Sequence, residues 1–252
     1  MAQEIFSRYE LKYLIPFDMY LMLVEEMTPY MRYDKFGTEG KYNIISLYFD
    51  SPDYKIYYET RNKLYFRQKL RLRVYNEVTM EDPAFFEVKQ KYKNVVNKRR
   101  TKISLQDAYR YLNQSDFSLP QDLNISNPQT MKEVHSFRSL YQLQPEVVVS
   151  YDRQAFHGIY DEDLRVTFDY NLMCRSHDLR IENGPLGTNF VDSNLVIMEV
   201  KVTHSVPLWL TRLLSDFQCK KQSVSKFCTS IDLMAEERKR DTALANPTVY
   251  TG

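Results

Sequence analysis

The fold is decided by residues 66–75, which read FRQKLRLRVY. Lys69, Arg71 and Arg73 alternate with Leu70 and Leu72. A period of two predicts a β-strand with one basic face and one apolar face. Like charges on one strand face stand about 7 Å apart, and they repel each other unless an anion neutralises them. The stretch therefore predicts a sheet whose basic face meets an anionic ligand.

The same alternation recurs along the chain. Strands are predicted at residues 8–15, 43–49, 66–75, 85–93, 95–103, 146–155, 164–170 and 195–202. For any one strand, a polar face turned to water is the simplest interpretation. A solvated face normally mixes charge signs, however, whereas here the polar faces carry mostly Lys and Arg on strand after strand. This joint pattern favours a shared basic interior over a set of solvated faces.

Helical patterns lie between and after the strands. Helices are predicted at residues 16–30, 52–57, 104–113, 131–143, 207–222 and 225–238. No linker or repeat divides the chain, so we predict one α+β domain over residues 1–239 and a C-terminal tail over 240–252. We expect the strands to form a closed antiparallel β-barrel with helices packed outside. In such a barrel interior and exterior positions alternate along each strand, so the basic faces would line the lumen.

Composition excludes several classes of protein. The chain has 252 residues, 43% of them hydrophobic and 27% charged, which is typical of a globular protein. No apolar run is long enough for a transmembrane helix, and the N-terminus has no apolar signal-peptide core. The three cysteines lack CxxC spacing, which favours reduced thiols and a cytoplasmic location. GxxxxGK[ST], GxGxxG, GxSxG and HExxH are all missing.

A basic lumen points to a phosphate-rich ligand. Low-dielectric walls focus the field of the cations on a polyanion, and Arg side chains offer bidentate forks to phosphate. The few carboxylates on the same faces would have to pair with cations or hold a hard metal ion such as Mg²⁺ or Mn²⁺. These carboxylates are Glu10, Glu87, Asp169 and Glu199. Nucleic acid is disfavoured as a ligand because no recognisable binding module is present.

Eight short motifs carry a resemblance to a known family. They are RYELKY (8–13), SLYFD (46–50), KLRLR (69–73), EVK (87–89), YDRQAF (151–156), LRVTFD (164–169), MEVK (198–201) and SKF (225–227). In this order the chain resembles the catalytic domain of the vacuolar transporter chaperone (VTC) polyphosphate polymerases. That domain belongs to the triphosphate tunnel metalloenzyme superfamily.

The resemblance implies a metal-dependent phosphotransferase. It would transfer the γ-phosphate of a nucleoside triphosphate, expected to be ATP, to a growing polyphosphate chain, with Mn²⁺ or Mg²⁺ as cofactor. The implied catalytic residues are Arg71, Arg73, Arg153, Arg165 and Lys226. The implied substrate-binding residues are Lys12, Lys89, Lys98, Tyr151, Ser225 and Lys201, and the implied metal ligands are Glu199 and Glu10.

Alternatives remain open at this stage. Arg8 stands where the wider superfamily opens its Glu-x-Glu-x-Lys strand with Glu, which fits the VTC branch but leaves fewer metal carboxylates. A tunnel-type triphosphatase and a non-catalytic polyphosphate or nucleotide sensor are the other candidate functions. Glu199 is also explained as a counter-ion to Lys201, and Arg153 as a partner of Asp152 or Asp169. The sequence leaves open a membrane-protein partner and the oligomeric state.

Overall fold

The structure is a computed structural model that describes residues 9–93, 95–114, 119–120, 122–222 and 224–245, with side chains described as far as residue 240. Arg8 and residues 246–252 of the predicted tail lie outside the described residues. The last helix continues to Ala245, past residue 239, where the predicted domain ends.

Ten strands and six α-helices follow one another in the described part of the chain. The strands are β1 (Tyr9–Pro16), β2 (Met31–Tyr33), β3 (Lys41–Asp50), β4 (Phe66–Tyr75), β5 (Pro83–Tyr92), β6 (Val95–Ser104), β7 (Gln144–Gly158), β8 (Arg165–Arg175), β9 (Thr188–Asn189) and β10 (Leu195–Val202). The helices are α1 (Phe17–Met27), α2 (Lys55–Arg61), α3 (Leu105–Leu112), α4 (Pro128–Tyr141), α5 (Leu208–Asp216) and α6 (Lys226–Ala245). Every predicted strand and helix has a counterpart here, while the short strands β2 and β9 have no counterpart among the predictions.

The strands form one antiparallel sheet in the order β1-β10-β8-β7-β3-β4-β5-β6, with β2 beside β7 and β9 beside β8. The α+β architecture is confirmed. The closed barrel is not confirmed, because within the described residues no backbone pairing joins the end strands β1 and β6. The sheet is nevertheless curled. Lys89 Nζ on β5 lies 3.8 Å from Glu10 Oε2 on β1, so side chains from opposite ends of the sheet meet on its inner side.

The outer face of the sheet carries the apolar core. Leu70 and Leu72 of β4 are fully buried there, as their alternation with basic residues predicts. One hydrophobic cluster joins β3, β4 and β5 to α3 and α4, and a second joins β1, β8 and β10 to α1 and α5. Because the apolar side of each of these strands packs against the outer helices, the charged side faces inward.

Local capping explains where several helices begin. α3 begins after Ser104, whose hydroxyl accepts a hydrogen bond from the Asp107 amide. α4 begins at Pro128, earlier than predicted, because the Asn127 side chain accepts from the Thr130 amide and Pro is favoured in a first turn. α6 is the helix that reaches the inner side of the sheet. Its second residue, Phe227, stacks on Tyr48 of β3 at 5.3 Å between ring centroids.

Candidate active site on the inner face of the sheet

Charged side chains from seven strands and α6 converge on the inner face. We call this set the inner cluster. Its cations are Lys12, Lys69, Arg71, Arg73, Lys89, Lys98, Arg153, Arg165, Lys201 and Lys226, and its carboxylates are Glu10, Glu87, Asp169 and Glu199. Ten positive charges thus face four negative ones, a formal surplus of six, which the nearby rim residue Asp34 reduces to five.

Glu87 holds one group of cations together. Arg71 donates to Glu87 Oε2 from Nε at 2.7 Å and from Nη2 at 2.6 Å, and Lys98 Nζ lies 2.6 Å from Oε1. The Glu87 side chain is only 1% exposed. Burial alone would raise the pKa of this carboxyl, but the surrounding cations outweigh burial and hold its pKa well below the usual range. Glu87 therefore stays ionised and orients its partners.

Hydroxyl groups complete this part of the cluster. Arg71 Nη1 donates to Tyr48 Oη at 2.9 Å, and Arg73 donates to Ser46 Oγ at 3.0 Å and to Tyr151 Oη at 3.1 Å. Burial opposes ionisation of Tyr48, but the positive charge of Arg71 and its neighbours lowers the pKa of the phenol to about 7. The site thus contains a tyrosine whose pKa is lowered to near neutral pH by the neighbouring cations.

Asp169 and Glu199 organise the second group of cations. Arg153 forms a bidentate pair with Asp169, in which Nε donates to Oδ1 at 2.6 Å and Nη2 donates to Oδ2 at 2.7 Å. Lys226, the first residue of α6, lies 2.6 Å from Asp169 Oδ2 and 3.5 Å from Glu199 Oε1. Burial works against ionisation of both carboxyls, yet the adjacent cations lower the pKa of each. These pairs fix the two cations before any ligand arrives.

The two predicted metal ligands share a lysine. Lys12 Nζ lies 3.0 Å from Glu10 Oε1 and 2.8 Å from Glu199 Oε1, and Lys201 Nζ lies 3.0 Å from Glu199 Oε2. Among the described residues, no group of three or more His, Cys, Asp or Glu side chains is arranged to hold a metal ion. The protein donors therefore fit a divalent ion only if phosphate oxygens supply the rest of its coordination sphere, which is the usual mode for Mg²⁺ beside nucleotides.

Two predicted residues lie at the margins of the cluster. Arg165 donates to Asp34 Oδ2 at 2.9 Å and to Tyr42 Oη at 3.3 Å, and its side chain is 36% exposed, so it lies at the rim. Ser225 precedes α6, where its hydroxyl accepts from the Cys228 amide at 3.3 Å and from Lys69 Nζ at 3.2 Å. Burial lowers the pKa of the Lys69 ammonium to about 8, and a bound anion would raise it again.

The structure brings all the predicted site residues to this inner face, although their roles stay predictions. Of the two possibilities for the interior carboxylates, pairing with cations is observed for all four of them, Glu10, Glu87, Asp169 and Glu199. The alternative partner for Arg153, Asp169, is the observed one. Sequence reasoning missed Tyr48 as a site residue. Its signal in the sequence was the alternation of Ser46 and Tyr48 with Leu47 and Phe49, which puts both on the polar strand face. The strand pairing then places Ser46 beside Arg73 and Tyr48 beside Arg71.

Comparison with known proteins agrees with this geometry. A family model described as the VTC domain matches residues 7–235, nearly the whole chain. The chain belongs to the VTC-domain family. No curated protein matches the chain in sequence.

Solved structures of three other proteins are similar to this chain. A Bacillus halodurans protein provisionally described as an adenylate cyclase is 15% identical and aligns over 87% of this chain and 95% of its own, with a TM-score of 0.54. A Vibrio parahaemolyticus protein with the same provisional description is 15% identical over 86% of this chain and 94% of its own, with a TM-score of 0.44. A Pyrococcus horikoshii protein is 11% identical over 92% and 98%, with a TM-score of 0.45. At such identities the first match indicates a shared fold only.

No helix in the described part of this VTC-domain protein has the length and apolar character needed to cross a membrane.

Proposed function

We propose that this VTC-domain protein is a polyphosphate polymerase that transfers the γ-phosphate of ATP to the end of a polyphosphate chain. The observation that carries the proposal is the surplus of positive charge in the inner cluster, most of it half-buried or buried. Low-dielectric surroundings magnify this field, and a phosphate chain neutralises it along its whole length. In this proposal the curled sheet acts as a closed tunnel around the ligand, with the Lys89–Glu10 contact spanning its open seam.

The residues divide the work of phosphoryl transfer. An oxygen of the terminal phosphate of the chain forms a bond to the γ-phosphorus, the bond to the β–γ bridging oxygen breaks, and ADP leaves with that electron pair. The attacking oxygen is already ionised at neutral pH, so a strong general base is unnecessary. Arg71, Arg73 and Arg153 would hold the transferring and adjacent phosphates. Cations held in place by Glu87 and Asp169 stabilise the spread charge of the transition state without reorganising.

A divalent cation completes the proposed site. Mn²⁺ or Mg²⁺ would be held by phosphate oxygens and by Glu199, with Glu10 as a second candidate ligand. Such an ion neutralises charge on the leaving diphosphate. Lys12 already contacts both carboxylates, so in this proposal its ammonium turns to the bound phosphates when the ion is present. Lys89, Lys98, Lys201 and Tyr151 would extend the phosphate track, with Arg165 at its rim and Ser225 and Lys226 near α6.

A tunnel-type triphosphatase is the second candidate. The Lys12 ammonium group contacts both Glu10 and Glu199. Two neighbouring carboxylates favour this candidate, because they suit a site that activates water on a metal ion. Incubation with ATP and Mn²⁺ separates the candidates. Long polymer with ADP supports the polymerase, orthophosphate without polymer supports the triphosphatase, and binding without turnover supports a sensor.

Arg71→Ala is the sharpest variant for this assay. It removes a guanidinium that contacts both Glu87 and Tyr48, and loss of one such charge-stabilising donor costs on the order of 10²–10³ in rate. We expect polymer yield to fall by that factor. Arg165→Ala should also lose transfer. Arg212→Ala, an exposed residue of α5, is the matched control and should keep full activity. Normal polymer yield from Arg71→Ala would contradict the proposed role.

A further inference from the structure

Apolar side chains are exposed together where β4 begins and the β5–β6 hairpin turns. Phe66 pairs with Tyr92 across β4 and β5, Tyr92 pairs with Val95 across β5 and β6, and the Lys93 amide donates to Tyr65 O at 2.7 Å. Tyr65 is 78% exposed and Tyr92 is 57% exposed. We call this set the tip surface. Its members are Leu64, Tyr65, Phe66, Tyr92, Val95 and Val96, all of them exposed.

The chain around the tip surface carries charge of one sign. Residues 61–69 and 89–100 together contain ten Lys or Arg and no Asp or Glu. Some of these cations belong to the inner cluster or have partners elsewhere. Four others, Lys63, Arg67, Lys91 and Lys93, enter no ion pair with any described carboxylate. Lys93 Nζ instead lies over the Tyr92 ring, 5.6 Å from its centroid. Unneutralised cations thus neighbour the exposed aromatic and aliphatic side chains along these two segments.

We propose that the tip surface docks this protein on an anionic lipid bilayer. Aromatic side chains favour the headgroup level of a membrane, and aliphatic side chains favour the acyl boundary beneath it. Lysine and arginine beside them are attracted to anionic headgroups. A bilayer therefore satisfies both the apolar and the basic members of the surface.

Other occupants satisfy only part of this surface. A second copy of the chain would bring these four cations, unpaired within the described residues, close to the same four of its partner, and like charges repel. Free polyphosphate or nucleic acid would neutralise the cations but would leave Leu64, Phe66 and Val95 exposed to water. Membrane docking does not depend on the proposed polymerase activity, because none of the tip residues belongs to the inner cluster.

Co-sedimentation of the full chain with vesicles tests the proposal. Vesicles of phosphatidylcholine with phosphatidylglycerol should bind the protein, and vesicles of phosphatidylcholine alone should bind far less. The apolar variant Tyr65→Ser/Tyr92→Ser should weaken binding roughly tenfold through lost apolar burial. The basic variant Lys63→Gln/Lys93→Gln should weaken it by about fivefold per cation. Tyr160→Ser is the control, since Tyr160 is 87% exposed beyond the end of β7 that lies away from the tip.

Each result decides the question. Loss of binding in both double variants, with binding retained in Tyr160→Ser and with unchanged melting temperature and ATP turnover in all three, would support docking. Full binding by the apolar variant would overturn it, since a purely electrostatic surface would then bind any polyanion. Equal binding to neutral vesicles would also overturn it. So would concentration-dependent dimerisation of the wild type that the tip variants abolish, which would assign the surface to a second copy.

Discussion

Replacement of Glu87 by Gln is the perturbation that best tests the organisation of the inner cluster. Glu87 is 1% exposed, and its single negative charge is shared by Arg71 and Lys98, both at 2.6 Å, and by Arg73 at 3.9 Å. The amide keeps one oxygen as an acceptor but loses the negative charge. Removing one partner of a buried ion pair costs about 3–5 kcal/mol. Because the amide retains one hydrogen bond, we expect Glu87→Gln to cost about 3 kcal/mol, the lower end of this range.

The expected loss is large enough to measure by thermal unfolding. In a chain of this size 1 kcal/mol shifts the melting temperature by about 2–4 °C, so Glu87→Gln should melt about 6–12 °C lower than the wild type. Tripolyphosphate should raise the melting temperature of the variant more than that of the wild type, because the variant has one more unneutralised positive charge facing the ligand. At a hundredfold excess over Kd, a ligand adds about 2.7 kcal/mol.

Glu133→Gln provides the matched control. Glu133 also pairs with an arginine, Arg99, but on the outer side of the sheet in a partly exposed position. Exposed pairs contribute about 0–1 kcal/mol, so this variant should melt close to the wild type and show no enhanced response to tripolyphosphate. A melting temperature of Glu87→Gln equal to that of the wild type would contradict the proposed role of Glu87. So would a tripolyphosphate response of Glu133→Gln as large as that of Glu87→Gln.

Two further predictions concern pH. The pKa values of Glu87, Asp169 and Glu199 are lowered in the folded protein. The stability that these carboxylates contribute is therefore complete above their unfolded pKa of about 4 and is lost as the pH falls further. A melting temperature that stays unchanged between about pH 5 and pH 3 would contradict this. Tyr48, with a pKa of about 7, should show a tyrosinate absorbance near neutral pH, and Tyr48→Phe should abolish it. Tripolyphosphate should shift this titration to higher pH, because added negative charge disfavours the phenolate. An unchanged titration in Tyr48→Phe would assign the signal to another group.

The sequence by itself determined the local structure and the sorting of faces. Alternation in β4 predicts both the strand and the outward position of Leu70 and Leu72, because successive side chains of a strand point to opposite sides. The same rule places Arg71 and Arg73 inward. The charged face and the resemblance of its motifs to the VTC family were therefore accessible without coordinates.

Only the tertiary structure decided which charges meet. Asp169 joins Arg153 on the neighbouring strand to Lys226 on α6, and Lys12 joins Glu10 to Glu199. Such pairs depend on strand order and on the path of α6, which no local pattern encodes. The same holds for closure of the sheet: alternation is identical in an open and a closed arrangement, whereas backbone pairing between β1 and β6 depends on the curl of the whole sheet.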